Sequence, residues 1–186
     1  MAKYALIKDT IMRIIGGKHK GRKLKSFEGT DVRPTSDRAR EALFNIFQTK
    51  IFGCDFYDGF CGSGAVGIEA LSRGANVVMT DISSKSVKLT NENLALIGEK
   101  ADVVEVDCVK YLSTTDKRFD LIFLDPPYAL NAGEKALSVV SCRDLLNDGG
   151  FVVFESNKEY NEVFDTIAFI RSRKYGKAVF NIYGKK

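Results

Sequence analysis

The chain reads Asp58-Gly59-Phe60-Cys61-Gly62-Ser63-Gly64 at the point that decides its fold. Residues 52–57 before this stretch predict a strand, and residues 64–72 after it predict a helix. Glycines between a strand and a helix permit a tight turn and let a ligand lie against bare backbone. The stretch therefore predicts a strand–turn–helix unit whose turn binds a ligand.

Strand-like and helix-like segments alternate after this turn. The pattern predicts strands over residues 76–80, 102–106, 119–124 and 150–155, with helices over 84–96, 109–112 and 133–142 between them. Such alternation indicates an α/β fold with a parallel, doubly wound sheet. Two further segments, 164–173 and 178–183, flank Tyr175-Gly176-Lys177 and predict a pair of strands that adds an antiparallel edge.

The segment before the main fold has a different pattern. Residues 11–15 are β-rich, a basic turn containing three glycines follows, and residues 22–24 can return as a second short strand, so we expect a hairpin. Residues 39–49 predict a helix, with Thr35-Ser36-Asp37 as its polar cap. We therefore divide the chain into an N-terminal extension, residues 1–50, and a main domain, residues 51–186.

Length and composition limit the class of protein. A chain of 186 residues with 45% hydrophobic content can build one well-buried core. It has no apolar run near the roughly 20 residues that cross a bilayer, and its first residues lack the apolar core of a signal peptide. We therefore expect a cytoplasmic protein without a membrane partner. We also expect a monomer. The four cysteines are scattered and there is one histidine. This pattern predicts buried, reduced thiols and no metal site.

Basic residues are concentrated at the two ends of the chain. Residues 12–40 contain nine Lys or Arg and three acids, residues 171–186 contain six Lys or Arg and no acid, and residues 41–170 contain eleven basic and twenty acidic residues. Basic edges on an acidic body predict contacts with a polyanion such as nucleic acid, although a solvated surface is the alternative. Our candidates for contacts with the phosphates of such a nucleic acid are Lys18, Lys20, Arg22, Lys23, Arg33, Arg38 and Arg40.

Four successive predicted strands finish in aspartate, at Asp58, Asp81, Asp107 and Asp125. The carboxyl ends of parallel strands share one edge of a sheet, which is where ligands bind in such folds. The cationic complement of this acidic edge would be the ammonium and sulfonium of S-adenosylmethionine. We expect Asp58 to bind its amino group, Asp81 its ribose hydroxyls and Asp107 its adenine amine. A capping or turn-initiating aspartate is the alternative at each position, and it is favoured for Asp107 taken alone.

The full set of predicted cofactor-binding residues includes the turn and the neighbours of these acids. It comprises Asp58, Gly59, Phe60, Cys61, Gly62, Ser63, Gly64, Asp81, Ile82, Asp107 and Cys108. Gly62, Gly64 and Gly67 also match G-x-G-x-x-G, so a nicotinamide dinucleotide is an alternative. A carboxylate directly before the glycines would repel a pyrophosphate, and this favours S-adenosylmethionine.

Asp125-Pro126-Pro127-Tyr128 follows the apolar segment 119–124 and predicts the catalytic residues. The exocyclic amine of a nucleobase is a poor nucleophile, because its lone pair is delocalised into the ring. The Asp125 carboxylate and the Pro126 carbonyl can each accept one amino hydrogen, Pro127 stiffens the turn, and the Tyr128 ring can stack on the base. The alternative is an ordinary turn that ends a strand.

Further blocks complete an ordered set of motifs. They are residues 12–17 and 21–24, the block Arg33-Pro34-Thr35-Ser36-Asp37-Arg38-Ala39-Arg40-Glu41-Ala42-Leu43-Phe44-Asn45, the glycine turn continued through residues 69–75, and residues 125–128. Together they resemble the bacterial 16S ribosomal RNA guanine-N2 methyltransferases of the RsmD type, within the class I S-adenosylmethionine-dependent methyltransferases. The resemblance covers nearly the whole chain, and the block from Arg33 is its most specific part.

The resemblance implies methyl transfer from S-adenosylmethionine to the N2 amine of one guanine in 16S rRNA, within the small ribosomal subunit or an assembly intermediate. It also implies a Rossmann-like, seven-stranded sheet in the order 3-2-1-4-5-7-6 with the last strand antiparallel. Two other functions stay open: a DNA methyltransferase acting on adenine N6 or cytosine N4, which needs the same Asp-Pro-Pro-Tyr grip, and a non-catalytic ribosome-assembly factor.

Overall fold

The computed structural model describes residues 12–27, 37–127 and 131–186. These residues build a seven-stranded sheet in the order β3-β2-β1-β4-β5-β7-β6. The first five strands, β1 to β5, all pair in parallel with one another, and β7 is antiparallel to both β5 and β6. The α/β fold class and the strand order are therefore confirmed. The strands are β1 (Asp55–Asp58), β2 (Asn76–Asp81), β3 (Asp102–Glu105), β4 (Phe119–Leu124), β5 (Leu146–Ser156), β6 (Ile167–Tyr175) and β7 (Ala178–Lys185).

Helices cover both faces of this sheet. The described helices are α1 (Asp37–Ile46), α2 (Ala65–Ser72), α3 (Ser84–Ile97), α4 (Cys108–Thr114) and α5 (Ala132–Cys142). Alternate strand side chains point to opposite faces, so Phe56 and Phe123 pack with α1, α2 and α3, whereas Tyr57 and Ile122 pack with α4 and α5. None of the described helices is both long and apolar enough to span a bilayer.

Several details differ from the sequence-based expectations, including the bounds of β6, which spans Ile167–Tyr175 rather than residues 164–173. β1 begins at Asp55 rather than residue 52, because Gly53 turns the chain at φ 73° and leaves Phe52 86% exposed. β5 begins at Leu146 rather than residue 150, and a register irregularity between Phe119 and Leu121 in its pairing with β4 accommodates the extra residues. Cys142 is exposed, contrary to the expectation of buried thiols, which holds for the other three cysteines.

The predicted hairpin is present over residues 12–24. The Ile14 amide donates to the Arg22 carbonyl at 2.9 Å, and the Leu24 amide donates to the Met12 carbonyl at 2.9 Å. Ile14 is buried in the same hydrophobic cluster as residues of α1 and α2. The hairpin therefore shares the main core, and the division of the chain at residue 50 stays a prediction.

Glu69 of α2 fastens this hairpin to the sheet. Its carboxylate is fully buried and accepts the backbone amides of Ile15 and Gly16, each at 2.7 Å. The Arg73 guanidinium, one helical turn later, donates to the same carboxylate at 2.8 Å. A buried charge is tolerated only when it is paired and hydrogen-bonded. Glu69 meets that condition by using backbone donors of the hairpin.

Arg40 of α1 completes the network. Its side chain is fully buried, its Nη2 donates to the Arg13 carbonyl at 2.6 Å and to Asp37 Oδ1 at 2.9 Å, and its Nε lies 3.9 Å from Glu69 Oε2. Burial lowers the pKa of this guanidinium, while Asp37 and Glu69 oppose the shift. The prediction that Arg40 contacts RNA is therefore wrong. The guanidinium faces the protein interior and links α1 to the hairpin and to α2.

We expect Glu69→Ala to lower the free energy of unfolding by about 3 to 5 kcal/mol, because it removes the acceptor of the Ile15 and Gly16 amides and one of the two carboxylates near the buried Arg40. Urea denaturation followed by circular dichroism measures this change. Glu92→Ala is the matched control: Glu92 also joins a helix to the N-terminal segment, through Lys25 at 2.8 Å, but the pair is exposed and screened by solvent, so its loss should change the free energy of unfolding far less. Equal losses in the two variants would contradict a buried network.

Candidate functional site

The carboxyl edge of the parallel strands brings the predicted site residues together. Asp58 ends β1 and is in register with Met79 of β2 and Phe123 of β4. Asp81 ends β2, and Asp125 follows β4 directly. The negative charges of Asp125 and Asp81 both act on Asp58. Three of the four predicted aspartates therefore form one acidic site.

The glycine turn is pinned to the strands on both sides of β1. The Gly59 amide donates to the Phe123 carbonyl of β4 at 3.0 Å, and the Cys61 amide donates to the Thr80 carbonyl of β2 at 2.9 Å. Gly62 and Gly64 have φ values of 55° and 79°, in the left-handed region where a side chain costs energy. These constraints explain why the turn needs glycine and why it is a fixed feature of the site.

One amide of the turn and one amide of α2 are occupied by the protein's own carboxylates. Asp58 Oδ2 accepts the Gly67 amide at 3.0 Å, and Asp81 Oδ2 accepts the Gly62 amide at 2.9 Å. A dinucleotide site instead offers such amides to a pyrophosphate. The arrangement therefore favours a cationic ligand group over an anionic one, as the sequence analysis expected from the position of Asp58.

Asp58 is 1% exposed, and this burial has an electrostatic consequence. Burial raises the pKa of its carboxyl to about 7, the hydrogen bond from Gly67 opposes the shift, and the charges of Asp125 and Asp81 add to it. Removing a carboxylate from water disfavours its charged form, and neighbouring acids have the same effect. A positive charge next to Asp58 would relieve both costs.

The second and third strand ends differ in their use of the carboxylate. Asp81 also accepts the Ser83 amide at 2.8 Å, and the side chain of the adjacent Ile82 is 74% exposed. Asp107 caps α4, because its Oδ1 accepts the Lys110 amide at 2.9 Å. The capping alternative for Asp107 is thus present in the structure. Contacts of Asp81, Ile82 and Asp107 with a cofactor stay predictions.

Two predicted cofactor residues carry thiols that point into the protein. Cys61 is buried with its sulfur 3.7 Å from Thr90 Oγ1, and Cys108 is buried with its sulfur 3.5 Å from the Tyr57 hydroxyl. Burial raises the pKa of the Cys108 thiol to about 12 and also raises that of Cys61, so both stay protonated. The expected cofactor contact of Cys61 and Cys108 can therefore involve only their backbone.

The Asp125-Pro126-Pro127 turn borders a small pocket. Asp125 is half-buried, Pro126 is buried and Pro127 is exposed. A cavity of about 40 Å³ lies against the two prolines. Tyr128, the predicted stacking residue, lies outside the described residues. The cavity is also lined by Phe154, Glu155, Asn157 and Tyr160.

Several residues of the site were missed by the sequence analysis. A Cβ on Gly133 would lie 2.6 Å from Pro126 Cγ, so this glycine lets α5 pack against the turn. The Asn93 side chain on α3 is buried, accepts the Lys25 amide at 2.7 Å, and donates to the carbonyls of Lys25 and Ser63 at 3.0 and 2.9 Å. It therefore couples the glycine turn to the segment after the hairpin. No local pattern in the sequence indicates these contacts, because those of Asn93 join residues 30 and 68 positions apart and that of Gly133 depends on how α5 packs against the turn.

The predicted RNA contacts outside Arg40 lie on the surface where the structure describes them. Lys20, Arg22, Lys23 and Arg38 are exposed. Lys18 is also exposed and pairs with Glu99 at 2.7 Å. Arg33 lies outside the described residues. In residues 12–27, 37–127 and 131–186, His, Cys, Asp and Glu form no group of three or more that could hold a metal ion.

Comparison with known proteins assigns the family. The family model described as "Conserved hypothetical protein 95" matches residues 12–184. The chain belongs to this family of RsmD-type methyltransferases. It is 35% identical to the "Putative rRNA methyltransferase YlbH" of Bacillus subtilis over 94% of this chain and 100% of that protein. It is 34% identical to "Ribosomal RNA small subunit methyltransferase D" of Haemophilus influenzae over 80% of each chain.

A solved structure supports membership of the RsmD-type family at the level of the fold. The "Putative methyltransferase yhhF from Escherichia coli" superposes with a TM-score of 0.84 at 29% identity, over 95% of this chain and 98% of that one. The shared fold includes the sheet whose carboxyl edge carries Asp58, Asp81 and Asp125. The acidic site thus lies on the framework of a methyltransferase.

The high pKa of Asp58 predicts a pH-dependent stability. The folded protein keeps this proton up to about pH 7, whereas the unfolded chain loses it near the ordinary pKa of 3.8. The contribution of Asp58 to stability therefore falls as pH rises from about 4 to 7, by up to about 1.4 kcal/mol per pH unit, and is constant above that. We expect Asp58→Asn to remove this fall, as measured by urea denaturation at pH 5 and pH 8. Asp148→Asn, at a fully exposed carboxylate, is the control. If Asp58→Asn kept the pH dependence of the unmodified protein, the raised pKa could not be assigned to Asp58.

Proposed function

We propose that this protein transfers a methyl group from S-adenosylmethionine to the N2 amine of a guanine in 16S rRNA, acting in the cytoplasm on the small ribosomal subunit or an assembly intermediate. The observation that carries this proposal is the position of the Asp125-Pro126-Pro127 turn beside the acidic glycine turn. Hydrogen-bond acceptors for an amine and carboxylates for a cation thus lie at the same edge of the sheet.

The residues of the glycine turn fit S-adenosylmethionine. The cofactor supplies a methyl group on a sulfonium, which is a good leaving group. Asp58 and Asp81 offer carboxylates to its ammonium and ribose hydroxyls, and Asp107 retains a second carboxylate oxygen beyond the one that caps α4. The exposed apolar side chain of Ile82 supplies a surface for a purine ring. This fit rests on the acidic character of the site and on the turn amides already being satisfied.

The turn after β4 supplies the chemistry at the target amine. The Asp125 carboxylate and the Pro126 carbonyl each accept one amino hydrogen, which localises the nitrogen lone pair toward the methyl group. The amine loses its proton late, to Asp125 or to solvent. Most of the acceleration comes from placement and local electrostatics, because no strong base is needed for such a leaving group. Gly133 contributes indirectly, since its missing Cβ leaves room for Pro126.

The choice of RNA as substrate rests on the relatives and on the surface charge. Two of the relatives are named for ribosomal RNA, and one of them for the small subunit. The exposed basic residues of the hairpin, Lys20, Arg22 and Lys23, directly precede the segment that Asn93 joins to the glycine turn through Lys25. Cations at this position can bind the phosphates around a target nucleotide. A non-catalytic ribosome-assembly factor would not need acceptors for an amine beside a site for a cation.

We expect Asp125→Ala to abolish methyl transfer, by about 1,000-fold or more in kcat, while the affinity for S-adenosylmethionine changes less than about threefold, since Asp125 grips the amine rather than the cofactor. The assay uses small subunits lacking the modification and methyl-labelled cofactor, and nuclease digestion with mass spectrometry maps the product. Asp148→Ala is the control, at an exposed carboxylate. Unchanged turnover in Asp125→Ala would refute this mechanism, and label on adenine or cytosine would refute the guanine assignment.

Cofactor affinity should depend on the proton of Asp58. The carboxyl holds its proton up to about pH 7, so a cationic ligand must displace that proton at lower pH. We expect the affinity for S-adenosylmethionine, measured by calorimetry from pH 5.5 to 7, to rise with pH and to approach tenfold per unit at the acidic end. Asp58→Asn should bind weakly and lose this dependence. A pH-independent affinity in the unmodified protein would argue against an ammonium at Asp58.

A further inference from the structure

We propose that the outer edge of the sheet binds RNA phosphates next to the target nucleotide, as a second anchor apart from the hairpin. This inference rests on the proposed function. We define the basic edge as Arg171, Arg173 and Lys174 of β6 with Lys177 of the β6–β7 turn. All four side chains are exposed. Within the described ranges, none of the four takes part in an ion pair, whereas Lys18 and Lys25 near the hairpin are paired with Glu99 and Glu92.

The direction of the strands places the basic edge at the catalytic end of the sheet. β5 runs parallel to β4, and β7 runs antiparallel to β5. β6 is antiparallel to β7 and so runs toward the same edge as β4, whose last residue precedes Asp125. The turn after Tyr175 therefore lies at the edge that carries the acidic site. The start of β6 at Ile167 lies at the opposite edge.

The register brings Lys174 close to the turn after β4. Lys174 is paired with Val179 of β7, and Val179 is paired with Ser156 of β5. Ser156 lines the cavity against Pro126 and Pro127. Two neighbour spacings separate Lys174 from Ser156, which is about 10 Å between backbones. A long basic side chain at this distance can contact the backbone of an RNA strand whose target nucleotide lies at the turn after β4.

The charges occupy both faces of the edge strand. Arg171 and Arg173 pair with Ile182 and Phe180, which pack into the cluster on the face of α1 and the hairpin. Lys174 belongs to the opposite face, because alternate residues of a strand point in opposite directions. That face also carries the loop after β5, where Ser172 Oγ bonds Glu159. An RNA strand could therefore be held at both sides of the edge, close to the target nucleotide.

Charged side chains on an edge strand have a second explanation, since they discourage pairing with another chain. That role predicts aggregation when the charges are removed and no change in the salt dependence of RNA binding. Phosphate contacts predict the reverse, because each contact releases counterions from the nucleic acid. Measuring binding against salt concentration separates the two explanations.

The test uses Arg173→Gln/Lys174→Gln and, independently, Arg171→Gln/Lys177→Gln in the full chain. The matched control is Lys100→Gln/Lys117→Gln, which also removes two exposed positive charges but before β3 and β4, at the opposite edge of the sheet. Binding to the small-subunit RNA is measured as a function of salt. Methylation kinetics, cofactor affinity and thermal midpoint are measured for each variant.

We expect each basic-edge variant to raise KM for the RNA about tenfold, with kcat and cofactor affinity unchanged. The slope of log affinity against log salt should fall in magnitude by about 1.4 to 1.8, the amount for two phosphate contacts. The control should match the unmodified protein. A slope and KM equal to the control in both basic-edge variants would overturn the inference. If the unmodified protein binds small-subunit RNA but does not methylate it, the proposed function fails while the phosphate anchor is still decided by the slopes.

Discussion

The buried carboxylate of Asp58 is the constraint on which the site depends. It lies at the end of the central strand and accepts an amide of α2, so the turn between β1 and α2 is held by the protein itself rather than by a ligand. Asp81 does the same from the neighbouring strand. These carboxylates accept the amide hydrogens that an anionic ligand would need. The turn therefore has the glycine spacing of a dinucleotide-binding turn but favours a cationic ligand. The charges of Asp81 and Asp125, which add to the raised pKa of Asp58, also make this edge receptive to a cation.

A second buried carboxylate organises the N-terminal part. Glu69 binds two consecutive amides of the hairpin and meets Arg73 and Arg40 inside the protein. The hairpin is therefore positioned by α2, the helix that begins at the glycine turn. Asn93 adds a link from α3. In this arrangement the basic hairpin and the glycine turn belong to one hydrogen-bonded unit, which gives a physical reason for the motif blocks at the start of the chain to accompany the Asp125-Pro126-Pro127 motif.

The basic residues of the chain divide by burial into two roles. Lys20, Arg22 and Lys23 remain in solvent, where they can meet phosphates, whereas Arg40 serves the interior. Charge counted along the sequence cannot make that distinction, because the helical phase of α1 and the position of Glu69 decide which face of the helix each arginine occupies. The basic residues near the C-terminus also divide into two groups: Lys185 is paired with Asp144, whereas the residues of the basic edge are exposed.

The sequence by itself determined the α/β class, the glycine turn, the order of the elements and the acids at the strand ends, because these depend on local spacing and on the rule that parallel strands share an edge. The resemblance supplied the strand order. Tertiary structure alone decided that Arg40 is buried, that the thiols of Cys61 and Cys108 face inward, and that Gly133, Asn93 and Glu69 support the site. Those facts depend on contacts between residues 27 to 68 positions apart or on close packing between a helix and a turn. No local pattern encodes which distant group will fill a given space, so only the folded chain shows it.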